Sequence, residues 1–183
     1  MRCLLVLSVA GLAACASANT ATERTPTEQT VRVVGAGGIT AASASMVSSD
    51  EAASTTLPIT VEQGWRLLPT VYEAVGIPIT IADPAKHSVG NDGFNLRRQL
   101  GKTSLSRYLD CGETQIGPNA DTYQVHLSVH TQITPDASGN ARISTLVEAA
   151  AKPVTFNQDY SHCTSTGRLE QRIADEIRTR SAK

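Results

Sequence analysis

Tyr123, Val125, Leu127, Val129 and Ile133 alternate with the polar residues Gln124, His126, Ser128, His130 and Gln132. Successive strand side chains point to opposite faces, so this spacing predicts a long β-strand with one buried face and one polar face. "PDASGN", residues 135–140, predicts a turn into a partner strand over about Ile143 to Val147. Elsewhere the period is helical. Val61, Trp65, Leu68, Tyr72 and Val75 recur at three- and four-residue steps behind a Thr60-x-x-Gln63 capping box. Pro69 is expected to kink or restart that helix, and Gly76 to end it. Leu169, Ile173 and Ile177 mark a last helix with a narrow apolar face. Between these, Ile77, Ile79 and Ile81 read as a strand. "DPAKHSVGNDGFNLRRQL" reads as a hairpin arm turning at Asn91-Asp92-Gly93. Leu105, Tyr108 and Leu109 form the inward side of a short helix, with Cys111 just past its end. After Pro153 the chain reads as irregular through Tyr160, His162 and Cys163. Antiparallel strands, tight turns and a few helices predict an α+β fold, an antiparallel sheet with helices packed on one face.

The pattern changes upstream. Arg2 precedes an uncharged apolar run, Cys3 to Ala14. A helix needs about 20 residues to cross a ~30 Å hydrocarbon core, so this run is too short to span a membrane. It has the length of an export signal, and residues 1–14 are read as a leader that is later removed. Residues 15–30 lack apolar bulk and are expected to be a flexible tether with a reach of roughly 20 Å. Residues 31–56 hold a short strand-like run at Val31, Val33 and Val34, then a low-complexity Ala/Ser/Thr loop. Such a stretch has little to bury. The compact α+β domain is expected over residues 57–183.

Leu12-Ala13-Ala14-Cys15 resembles the lipobox of bacterial lipoproteins. The resemblance implies a diacylglycerol on the Cys15 sulfur, cleavage just before it and an acylated amine. Two or more acyl chains anchor stably where one is marginal. Ala16 stands where an Asp would imply inner-membrane retention, so the resemblance implies an outer-membrane lipoprotein in a Gram-negative host, with its domain facing the periplasm or cell surface. The competing reading is an ordinary leader cut near Ala16 or Ala18. The element order is similar to the helix-grip domains of envelope lipoproteins, such as the C subunit of the outer-membrane barrel-assembly machinery. No residue motif accompanies that similarity, so it implies no site.

Composition narrows the chemistry. Sixteen Lys/Arg against 17 Asp/Glu leave no basic block for nucleic acid. Apart from Cys15 and the leader's Cys3, two cysteines remain, Cys111 and Cys163, and an even pair in an exported chain reads as a disulfide. Closing a loop of ~53 residues stabilises a fold by about 4 kcal/mol in the chain-entropy model. "VVGAGGIT" begins like a dinucleotide-binding loop, but Thr40 stands at the third glycine position, so no cofactor is expected. His126 and His130 lie about 13 Å apart along a strand and cannot share one metal, so no metal site is expected. Neither a Gly-x-Ser-x-Gly elbow nor any other catalytic signature occurs. Asp83, His87 and Ser88 have the right types for a hydrolase, although neighbouring strand residues diverge. Glu148 and Asp159 would form an acid pair only if the fold joined them. Arg168, Arg172, Arg178, Arg180 and Lys183 fit either a solvated helix face or a contact with anionic headgroups.

The expectation is a lipid-anchored, non-enzymatic envelope protein that binds or scaffolds another envelope component. Its candidate partner surface is the uncharged polar row Gln124, His126, Ser128, His130 and Gln132. The alternative is a lipid-anchored hydrolase with a site assembled from dispersed Ser, His and Asp.

Overall fold

Gln124–Pro135, the alternating segment, is the central strand of an antiparallel sheet. The structure, a computed structural model, describes residues 52–155 and 158–183. The leader, Cys15, the tether, the Val31–Val34 run and the glycine turn lie outside the described residues. In chain order the elements are β1 (Ala53–Leu57), α1 (Val61–Val75), β2 (Ile81–Asp83) and β3 (Ser88–Arg97). Then come β4 (Gln99–Leu100), β5 (Thr103–Ser104), a 3₁₀ turn (Leu105–Arg107), β6 (Leu109–Asp110), β7 (Glu113–Thr114), β8 (Gly117–Pro118) and α2 (Asn119–Thr122). The long hairpin β9 (Gln124–Pro135) and β10 (Ala141–Lys152) leads to β11 (Ser161–Ser165) and α3 (Arg168–Ser181). The main sheet runs β2-β3-β9-β10-β11-β6, and β1 shares the outer side of β10 with β11. All its pairings are antiparallel. The fold is α+β.

The helices α1 and α3 lie on one face of this sheet. Leu68, Val71 and Val75 of α1 and Leu169, Ile173 and Ile177 of α3 meet Val125, Leu127, Val129, Ile133 and Ile143 in one buried cluster. Each such side chain contributes roughly 1.5–3 kcal/mol on burial. The Thr60–Gln63 capping box forms in both directions, and Gly76 closes α1 with φ at 89°. The buried hydroxyls of Tyr72, Thr131 and Thr145 satisfy one another. The Tyr72 hydroxyl donates to Thr131 Oγ1 at 2.9 Å, and Thr131 pairs with Thr145 at 3.0 Å. Burial pushes the Tyr72 phenol up to about 12, over the opposing effect of the Thr131 hydrogen bonds.

Several boundaries differ from those read in the sequence. Helix α1 passes through Pro69 without a restart, because Pro69 sits on the exposed side, where water can satisfy the carbonyl its ring leaves unpaired. Only Ile81 of the three isoleucines enters a strand. The hairpin turns earlier than expected, at Pro84–His87, where the Asp83 carboxylate accepts the N–H groups of Ala85 and Lys86. Asn91-Asp92-Gly93 is instead a bulge within β3. Its turn chemistry is real, since Asn91 Oδ1 accepts the Gly93 N–H at 2.9 Å, but it kinks the strand and does not reverse it. Leu105, Tyr108 and Leu109 are buried as expected, though on a 3₁₀ turn and β6 rather than on a helix. Strand β10 continues past Val147 through three alanines. Residues 53–56, read as the end of a loop, pair with Thr145 to Arg142; backbone pairing at a sheet margin asks little of the side chains.

Part of the stretch read as irregular is a strand, since His162 and Cys163 belong to β11. Cys111 and Cys163 are bonded, with Sγ atoms 2.10 Å and Cα atoms 4.2 Å apart. The β6–β11 register, Thr164 with Asp110 and Ser165 with Leu109, makes this bridge the next cross-strand pair.

Candidate functional site

No helix among the described residues covers the second face of the sheet, and strand register arranges that face in rows. Ser88, Gln132, Ser144 and Ser54 form one row, closed by a 2.9 Å hydrogen bond between the two serine hydroxyls of β10 and β1. Gly90, His130 and Leu146 form the next, and Ser128 stands beside Glu148. Asn95, His126, Ala150 and His162 make a row across four strands. Arg97, Gln124 and Lys152 end the face. The five residues expected to form a partner surface therefore do share one face.

Both central imidazoles lie down over β3. A β-carbon built at Gly90 would stand 2.3 Å from His130 Nδ1, and one at Gly93 would stand 2.1 Å from His126 Nε2. The two glycines are the space that the rings occupy. His130 Nε2 reaches Asp92 Oδ1 at 3.0 Å, so the bulge that displaces Asp92 also supplies the carboxylate that orients this ring. His126 Nδ1 lies 3.3 Å from Asn95 Oδ1, and the Tyr160 ring meets His126 edge-on at 6.2 Å. Lys152 caps the Tyr160 ring at 4.7 Å. With the rings drawn toward β3 and only alanine at position 150, a groove of about 370 Å³ opens between β3 and β11. Asp92, His126, Ser128, His130, Glu148 and His162 line it.

The β9 row holds no Asp, Glu, Lys or Arg, but its neighbours do. Asp92 and Glu148 put two carboxylates on the groove, which strand alternation within β9 does not reveal. His162 joins through β11, a strand hidden in an irregular-looking stretch. The one sequence signal for these additions was glycine spacing: Gly90 and Gly93 sit in a strand-forming segment, where a glycine often marks a close approach.

The other candidates stay apart. His87 faces Glu62 at 3.7 Å and the edge of Trp65 at 5.9 Å, whereas Ser88 joins the Gln132 row on the sheet. The Asp83 carboxylate is committed to its turn. Among the described residues no hydrogen bond joins Ser128 to His130, whose Nδ1 is pressed against β3. No group of three His, Cys, Asp or Glu side chains is placed to hold a metal ion among the described residues, and none of their helices is long and apolar enough to cross a membrane. The arrangement offers hydrogen bonds and carboxylates to a bound surface. The chain matches no protein-family model and no curated protein.

Proposed function

We propose that the chain is a lipid-anchored cell-envelope protein that binds another envelope component in the groove on the open face of its sheet. The observation that carries the binding half is the bedding of His126 and His130 over Gly93 and Gly90. Two rings held flat by backbone, Asn95 and Asp92 form a preorganised polar floor, and preorganisation lowers the ordering cost of association. The carboxylates of Asp92 and Glu148 favour a partner that presents donors or positive charge there. The envelope half is supported by the resemblance of Leu12–Cys15 to a lipobox and by the Cys111–Cys163 bridge, since such bonds persist in exported proteins and are rare in the cytosol.

The test is photocrosslinking in the native membrane from a benzophenone amino acid placed at Ser144, beside the groove. The wild-type groove gives a discrete crosslinked partner, and His126→Glu with Gln132→Glu removes it while thermal unfolding stays unchanged. An unaltered crosslink in that double variant rejects the groove as the contact. Cys15→Ser, tested in parallel by fractionation, releases the protein from the membrane or leaves the leader uncut; lipid labelling that survives the change rejects the anchor.

A further inference from the structure

Four of the five basic residues toward the C-terminus separate into two sets once folded. Arg178 pairs with Asp175, and Arg180 lies 3.3 Å from Glu176. Arg168 and Arg172 instead face Lys102 and Arg107, which come from the β4–β5 loop and the 3₁₀ turn. These four cations and the residues Thr103 and Tyr108 line a depression of about 430 Å³ beside the first two turns of α3. Among the described residues no carboxylate lies within 4.0 Å of any of the four cations. The carboxylate of Asp121, in the neighbouring α2, is held by Ser104 and Ser106.

This placement sets like charges against one another. Arg168 and Arg172 are one turn apart on one helix, where like charges repel. Arg168 is also the first residue of α3, at the positive end of the helix dipole. Arg172 is nevertheless held in place, donating from one guanidinium nitrogen to Thr103 Oγ1 at 3.0 Å and to the Tyr108 hydroxyl. Both partners are neutral, so the guanidinium is positioned by groups that supply no counter-charge.

We propose that this depression binds a phosphate group. Cations approach it from α3 on one side and from the loop and 3₁₀ turn on the other, and a tetrahedral phosphate offers oxygens in several directions. A carboxylate offers two in one plane. Guanidinium forks suit phosphate, and the lysine adds a point charge. The depression is open to solvent, so the phosphate can be free or belong to a lipid headgroup, and the two sources are separable by experiment.

Purified full-length protein is titrated with inorganic phosphate while thermal unfolding is followed, and is separately sedimented with vesicles of neutral phosphatidylcholine, with and without anionic phosphatidylglycerol. Wild type is expected to gain thermal stability with phosphate, and Lys102→Gln with Arg168→Gln is expected to bind at least tenfold more weakly. Arg178→Gln, which removes a carboxylate-paired charge, is expected to bind as wild type does. Vesicle binding that rises with anionic lipid in wild type but not in the double variant assigns the site to headgroups. A phosphate response without that preference assigns it to soluble phosphate. If the double variant does not fold by circular dichroism, Arg107→Gln replaces it. The proposal is overturned if neither probe separates wild type from the cluster variant, or if Arg178→Gln loses as much.

Discussion

The two faces of β9 are built from one strand and obey different rules. On the helix side, Val125, Leu127, Val129 and Ile133 are almost fully buried, and even the polar member, Thr131, is absorbed by Tyr72 and Thr145. On the open side, each ring is placed by what is missing opposite it: a side chain at Gly90, a side chain at Gly93, bulk at Ala150. The first face is specified by filling space and the second by leaving it. A strand can therefore carry its stability and its recognition chemistry on alternate residues with little cross-talk.

That separation is sharpest between neighbours. Leu127→Ala is expected to cost about 2–5 kcal/mol, through lost transfer energy and a residual cavity. His126→Ala, one residue away and exposed, is expected to change stability by less than about 0.5 kcal/mol. Urea unfolding of the two variants decides it, and comparable losses would break the contrast.

A smaller effect tests the polar member of the buried face. Tyr72→Phe removes the hydroxyl from the Thr131–Thr145 pair and should cost about 1–2 kcal/mol. It should also alter the alkaline limb of stability. The phenol binds its proton more tightly in the folded protein than in the unfolded chain, so its contribution is complete below pH ~10 and is lost as pH rises toward about 12. Unfolding midpoints recorded from pH 8 to 11.5 should fall less steeply in the variant than in the parent.

A coupling measurement probes the open face. Gly90→Ala must push the His130 ring off β3 and away from Asp92, whereas the same change in a His130→Ala background meets no ring. The double-mutant cycle should return a coupling of about 1 kcal/mol. An additive result would show that the ring does not occupy that space in solution.

Elements whose side chains meet a buried surface were legible in the sequence. The β9 alternation, the α3 stripe, the Thr60–Gln63 box and the Cys111–Cys163 pair each carry a local pattern with one physical explanation. Elements defined by backbone pairing were not. Ala149, Ala150 and Ala151 have weak strand preference, yet β10 continues through them because β9 and β11 hold it on both sides. Asn91-Asp92-Gly93 carries a reversal signal, and only the pairing of its flanks with β9 makes it a bulge. The groove was half legible, since β9 announces its own row while Asp92, Glu148 and His162 arrive from other strands. Nothing local to Lys102 or Arg107 indicates that α3 folds beside them.

The two short strands end to end along β10 also decide how the domain responds to mechanical load. Tension arriving from upstream of residue 52 enters at Ala53 and opens the β1 ladder one pair at a time, from Thr145 toward Ala141. At the other end of the sheet the covalent bridge spans 52 positions, and the hairpin β9–β10 lies inside that loop. Pulled to its limit, the chain is short by about 180 Å of contour at ~3.5 Å per residue. Strand β1 is the part that yields first, and β9 and β10, the hairpin that carries His126, His130 and Glu148, are the part that cannot be drawn out.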